Sequence, residues 1–138
     1  MDIFTNLKTT LLTFSPVTNL IGSTSSTIRA WNGWQRYGQT QGQVAYPCMI
    51  VDVDNEEEQN DLLAIPQFII AEITITCRDN TDAGCQSLHQ ALRTSLGGYH
   101  GTFDSILENT VHTDTPKNDG SGQHWYDRIS SWTFLYGN

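Results

Sequence analysis

The sequence predicts an α+β domain: an antiparallel sheet of about four to five strands with two helices packed on it and long loops at the hairpin tips. Three observations predict it. Between Gln67 and Arg78, Ile69, Ala71, Ile73, Ile75 and Cys77 alternate with Phe68, Ile70, Glu72, Thr74 and Thr76, the period of two that gives a strand one buried face. From His124 to Tyr136 a second long alternation sets Tyr126, Arg128, Ser130, Trp132, Phe134 and Tyr136 against Asp127, Ile129, Ser131, Thr133 and Leu135. Two other segments space their apolar residues three and four apart, as an amphipathic helix does. Over 138 residues there is no internal repeat and no linker, so residues 1–138 read as one domain.

The elements follow in chain order. Residues 2–14 place Phe4, Leu7, Leu11 and Phe14 on one side of a first helix. Ser15-Pro16 stops it, because proline disfavours helical geometry in the residue before it, and Val17, Leu20 and Ile21 form a short apolar turn ending at Gly22. Ile28–Trp31 reads as a short strand. Asn32–Ala45 reads as a long loop with three glycines, four glutamines, Trp34 and Tyr37, and only Arg36 charged; long loops in compact domains are usually functional or disordered. Tyr46-Pro47 opens a strand over Cys48–Val53, with Met49, Val51 and Val53 on one face and Cys48, Ile50 and Asp52 on the other. Asp54–Asp61 reads as an acidic, hydrated tip of the hairpin that Gln67–Arg78 completes. Asp79-Asn80-Thr81-Asp82 supplies caps for a second helix carrying Cys85, Leu88, Leu92 and Leu96, which Gly97-Gly98 ends. Ile106–Thr113 and His124–Tyr136 form a second hairpin around a turn rich in Gly, Asn and Pro.

Charge excludes one class of function. Seven Lys and Arg face fifteen Asp and Glu, a net charge of −8, which argues against a basic grip on nucleic acid. The three cysteines, Cys48, Cys77 and Cys85, include no C-x-x-C, and Cys48 and Cys77 sit in apolar runs, as expected of reduced thiols in a reducing compartment. No stretch approaches the roughly 18 apolar residues of a membrane span, and the N-terminus lacks the basic and apolar regions of a secretion signal.

Candidate chemistry is sparse. Cys85 and His89 share a helix face at i, i+4, where Cys77 or His100 could join them around a metal, but no ligand spacing recurs and the pair lies on the apolar stripe. Counted from Asp52 as a calcium loop, the sixth position is Glu57 and the twelfth Leu63, in place of the glycine and glutamate that such a loop needs. Phosphate-loop, dinucleotide, nucleophile-elbow and zincin motifs are lacking. His112, His124, Asp114 and Asp127 fall on neighbouring strands, a generic cross-strand pairing without a nucleophile. The four tryptophans lack the cations that accompany base stacking and suit a core or an interface. No catalytic residue, metal or cofactor is expected.

Several segments together resemble a known family. The first helix followed by Ser15-Pro16-Val17-Thr18-Asn19-Leu20-Ile21-Gly22, then Tyr46-Pro47-Cys48-Met49-Ile50-Val51, is similar to the opening of the tail-completion (tail-terminator, head-tail joining) proteins of long-tailed bacteriophages. So are Glu72–Asp79 with the following helix to Leu96-Gly97-Gly98-Tyr99-His100-Gly101, and the final Tyr126–Tyr136 strand. The likeness is one of order and character across nearly the whole chain; the Trp31–Ala45 loop and the acidic run depart from the family pattern.

The resemblance implies a structural virion protein, assembled in the host cytoplasm, that forms a ring, typically six-fold, at the head-proximal end of the tail. Its partners would be the tail-tube protein and a head-side connector or stopper, with DNA passing through and no membrane or enzymatic role. For such a ring the expected contact residues are Trp34, Arg36, Tyr37 and Gln39, and the expected channel or tip residues are Asp54, Glu56, Glu57, Glu58 and Asp61. The alternatives are another neck or adaptor ring subunit, or a small acidic metal-binding enzyme using Cys85, His89 and His100.

Overall fold

The computed structural model describes residues 3–21, 28–30, 47–60, 66–99, 101, 103–114, 117–118 and 124–137. The chain order is α1 (Ile3–Leu11), α2 (Ser15–Ile21), β1 (Ile28–Ala30), β2 (Cys48–Asn60), β3 (Pro66–Asp79), α3 (Asp82–Gly97), β4 (Ser105–Thr113), β5 (Lys117–Asn118) and β6 (His124–Gly137). Four long strands form an antiparallel sheet in the order β2-β3-β6-β4, with β1 added parallel to β2 and the two-residue β5 pairing β6. The fold is therefore the expected α+β class.

Helices cover one face of this sheet. On β3 the residues of that face are Ile69, Ala71, Ile73, Ile75 and Cys77, all buried, as the alternation predicts. On β6 they are Ser130, Trp132, Phe134 and Tyr136, also buried. Cross-strand partners such as Ile73 with Trp132 and Val53 stand side by side on this face. From above, α3 presses Leu88, Leu92 and Leu96 onto β3 and β6, with α2 beside it and α1 over β2. Leu7 and Leu11 of the predicted α1 stripe are buried and Ile3 joins them; the side chain of Phe4 lies outside the described residues.

Two local outcomes differ from the sequence expectation. The first helix ends at Leu11 rather than at residue 14. Pro16 lies in the first turn of a second helix where an apolar turn is expected, because a proline there has no N–H to leave unsatisfied. Phe14 sits at the joint, where its carbonyl accepts from the Val17 and Thr18 amides at 3.0 and 2.9 Å. Its ring meets Tyr99 edge-on at 5.7 Å, and from Tyr99 an aromatic chain runs through Phe103 to Phe134 and Tyr136. The expected first strand keeps Ile28–Ala30 and runs parallel to β2.

α3 begins as its caps predict. Thr81 is extended, and its hydroxyl accepts from the Gly84 amide at 3.0 Å. A side chain at Gly84 would collide with the Asp79 carboxylate and stand 2.8 Å from the Thr81 hydroxyl, so the cap requires glycine there.

The helix-free face is divided along its length. Near the start of β2 it is buried: Cys48, Ile50, Thr76, Arg78, Trp125 and Asp127 are all under a tenth exposed. There Arg78, directly opposite Asp127 in the register, makes a two-pronged ion pair with it, at 2.7 Å from Nε to Oδ1 and 2.9 Å from Nη2 to Oδ2. The guanidinium also lies over the Trp125 ring, 5.1 Å from its centroid. At the other end of the sheet the same face is open, with Phe68 37% and Leu107 60% exposed.

Because both partners are buried, removing one takes from the other its two-pronged ion pair inside the sheet. Asp127→Ala should cost about 3–5 kcal/mol in denaturant unfolding, whereas the paired change Arg78→Met with Asp127→Leu should cost far less.

Candidate functional site

Of the residues expected to make contacts, Trp34, Arg36, Tyr37, Gln39 and Asp61 lie outside the described residues, as do His100 and the Asn32–Ala45 loop that carries the first four. Asp54, Glu56, Glu57 and Glu58 are described and exposed, but they are not a hairpin loop. They belong to β2, which continues to Asn60 and leaves only 61–65 as the connection to β3. A run of charge reads as loop on composition. Here β3 offers a complete ladder to pair with, and an edge strand tolerates charged side chains that point into water.

The strand also splits the run. After a bulge between Val53 and Asn55, Glu56 stands opposite Ala71 and Glu58 opposite Ile69 on the helix-covered face, while Glu57 stands opposite Ile70 on the other. Asp54 accepts from the Thr74 hydroxyl at 2.6 Å, and Glu56 accepts from the Tyr136 hydroxyl at 3.2 Å. Burial first, then the Glu56 carboxylate, push the Tyr136 phenol up to about 12.

The other charged cluster lies between α3 and the sheet, where the sequence offered Cys85 and His89. His89 is 2% exposed, and its Nε2 is 2.8 Å from Glu108 Oε2. Arg128 Nε points at His89 Nδ1 at 3.4 Å. An arginine N–H can only donate, so Nδ1 is an acceptor and the ring proton sits on Nε2, facing the carboxylate. The second Glu108 oxygen takes Arg93 Nε at 2.9 Å and Nη2 at 2.7 Å. Arg128 Nη1 ends the chain on the Thr113 hydroxyl at 3.0 Å. Both imidazole nitrogens and both carboxylate oxygens are thus engaged within the protein.

Cys85 does not turn toward His89; its thiol bonds back to the Asp82 carbonyl at 3.2 Å. Burial and then Asp82 push it up to about 11, and burial raises Cys77 well above the ordinary thiol range, so both are protonated at neutral pH. Among the described residues no three His, Cys, Asp or Glu side chains form a metal-binding group. Of the residues that cross-strand pairing could bring together, Asp127 turns to Arg78, and His112 stands exposed opposite Ile129.

No protein-family model matches the chain, and no curated protein does. Among the described residues no helix is long and apolar enough to cross a membrane.

Sequence reasoning missed two clusters, His89–Glu108–Arg93 and Arg78–Asp127. A partial signal existed for the first: His89 and Arg93 are i, i+4 on one helix, and Glu108 shares the inner face of β4 with Ile106. Only the order of strands reveals which charges meet.

What the open edges of this site offer is backbone. From Asp52 to Asn60, β2 has no strand on its outer side, since β1 reaches only Met49–Val51; β4 pairs β6 alone. Both observations are of the described residues.

Two tests follow from the charged clusters. Burial holds the His89 imidazole below its ordinary 6.5, against the pull of Glu108, so the unfolded chain binds a proton that the folded chain refuses. Stability should fall as pH drops below about 6.5, and denaturation midpoints between about pH 7.5 and pH 5.5 should decline less steeply in His89→Gln, which retains a donor for Glu108. On β2, Glu56→Ala should cost about 1 kcal/mol by stranding the Tyr136 hydroxyl. Glu57→Gln and Glu58→Gln should leave the melting midpoint unchanged.

Proposed function

We propose that this chain is a structural ring subunit of the neck of a long-tailed bacteriophage, closing the head-proximal end of the tail and joining it to the head-side connector. One observation carries the reading. Three of the segments that resemble tail-completion proteins, Glu72–Asp79, the helix to Gly97 and Tyr126–Tyr136, are the centre of the fold, β3, α3 and β6, and Cys48–Val51 of a fourth opens β2 beside them. The acidic departure from the family pattern falls on the outer strand β2, where sequence can change without disturbing that centre.

The polar chemistry agrees with a structural role. His89 and Glu108, the pair an enzyme or metal site would need, are saturated by Arg93 and Arg128 and tie α3 to β4. They serve as a brace between helix and edge strand. In the proposed ring the channel is lined by the helix-free face, whose Asp54, Glu57 and Glu72 would repel the phosphates of passing DNA.

Purified protein imaged by negative stain, with light scattering on the same samples, should show closed rings with a central hole. Mixed with tail tubes from the phage that encodes it, the protein should bind one tube end. Binding along the tube wall, or no binding to tubes, would overturn the reading.

A further inference from the structure

We infer that His89 is an acid-sensitive latch on the Thr113 end of β4: a proton gained at its Nδ1 expels Arg128 and loosens that end of the strand, while the Glu108 position stays held. The inference concerns the fold of a single chain and does not depend on the ring reading.

The latch is a row of four side chains, Glu108, His89, Arg128 and Thr113. Glu108 Oε2 accepts from the ring at Nε2, 2.8 Å away, and Arg128 Nε donates to the ring at Nδ1, at 3.4 Å. The same guanidinium donates through Nη1 to the Thr113 hydroxyl at 3.0 Å, and Thr113 stands opposite Arg128 in the register of β4 against β6. Arg128 thus joins the last residue of β4 to a side chain of α3. It can do so only while the imidazole is neutral, because an arginine N–H needs a lone pair to meet and Nδ1 offers one only when unprotonated.

A proton on Nδ1 sets two N–H donors and two positive charges face to face, so one group must move, and burial decides which. His89 is buried and its Nε2–H is fixed on Glu108, a bond that a positive ring strengthens. Arg128 is half-buried, and its long side chain can carry the guanidinium out to water. When it leaves, Thr113 loses that bond. Glu108 keeps Arg93 on its second oxygen at 2.9 Å and gains an imidazolium on its first, so the middle of β4 is held more firmly as its end is let go.

The charges that face the ring come from three elements: Glu108 from β4, Arg93 from α3 and Arg128 from β6. On β3, Cys77 stands opposite Arg128 on the helix-covered face, and Cys85 lies one turn before His89; both thiols are protonated at neutral pH and stay so in acid. Glu72, Arg78, Asp127 and His112 belong to the other face of the sheet, Asp79 and Asp82 lie at the start of α3, about two turns away, and α2 carries no titratable side chain. Burial lowers the proton affinity of the ring, Glu108 raises it, and the two arginines lower it again; the balance falls below the ordinary 6.5. The latch is therefore closed at neutral pH and opens as pH falls.

Two amides report on the two ends of β4. Asp114 donates to the Asp127 carbonyl at 2.9 Å beside the latch, and Asp104 donates to the Leu135 carbonyl at 2.7 Å at the opposite end. Amide exchange followed by NMR on the full chain, corrected for the intrinsic effect of pH, should show protection at Asp114 fall about fivefold to tenfold between about pH 7.5 and pH 5.5, with Asp104 unchanged. The fall should track titration of the His89 ring nitrogens. In His89→Gln, protection at Asp114 should stay constant across the same range. Arg128→Gln should loosen the Asp114 end at both pH values and raise the midpoint of the His89 titration, because a facing cation is gone. Equal losses at Asp104 and Asp114 would overturn the latch in favour of acid opening of the whole strand. A His89 titration that leaves Asp114 unmoved, or a midpoint in Arg128→Gln at or below that of the unaltered chain, would overturn it as well.

Discussion

The sheet depends on the register of β3 against β6. The two strands pair over twelve positions, from Phe68 with Gly137 to Asp79 with Tyr126. A slip of one residue would turn Ile69, Ala71, Ile73 and Ile75 away from α3 and bring Phe68, Ile70 and Glu72 under it. Apolar alternation alone forbids that slip but is indifferent to a slip of two. The buried Arg78–Asp127 pair removes that freedom, because a two-residue shift would leave two charges buried apart. Such a pair adds little net stability over apolar residues of the same volume; what it supplies is a single allowed register. Ser130 acts in the same sense at the middle of the strand, donating to the Ile75 carbonyl at 3.1 Å while accepting from the Trp132 indole at 2.7 Å.

With the centre fixed, the edges are held differently. β2 is anchored at its start by apolar pairs with β3 and by β1, and its far half is held by the backbone ladder and by the bonds of Asp54 to Thr74 and of Glu56 to Tyr136, with its acidic side chains exposed. β4 is anchored from above: Glu108 reaches up to Arg93 and His89 on α3, so the strand cannot leave the sheet without uncovering a buried imidazole. This explains how a nine-residue edge strand whose residues are mostly exposed stays in place, with a bulge at Asn109 whose side chain bonds Thr133 at 2.7 Å.

Much of this was legible in the sequence. The period-two runs placed β3 and β6 with the correct faces, and the three-four spacing placed α3 with Cys85, Leu88, Leu92 and Leu96 inward. Those signals are strong because each comes from one element exchanging one face with the core. What was not legible needed two elements at once. Glu56, Glu57 and Glu58 read as loop because solvation of charge is local, whereas the ladder that holds them is supplied by residues eleven to fifteen positions further on. The Pro16 helix was missed for a related reason: proline is a stop signal only when read from its N-terminal side. His89 was seen as a residue of the apolar stripe, and its partner Glu108 lies on a strand nineteen residues away.

The distribution of charge then acquires a common logic. A chain with few cations places Arg93 against the one carboxylate of β4, Arg128 against the His89 ring beside it, and Arg78 inside the sheet. Its acidic run goes to the opposite edge. An exposed strand edge is a hazard because any other edge can add to it, and charge is the usual remedy. Here the remedy is one-sided: like edges repel at β2, while β4 is left nearly neutral. A protein protecting itself against all edge pairing would charge both ends of its sheet. Among the described residues, charging one end of the sheet discourages β2 from adding to a second β2.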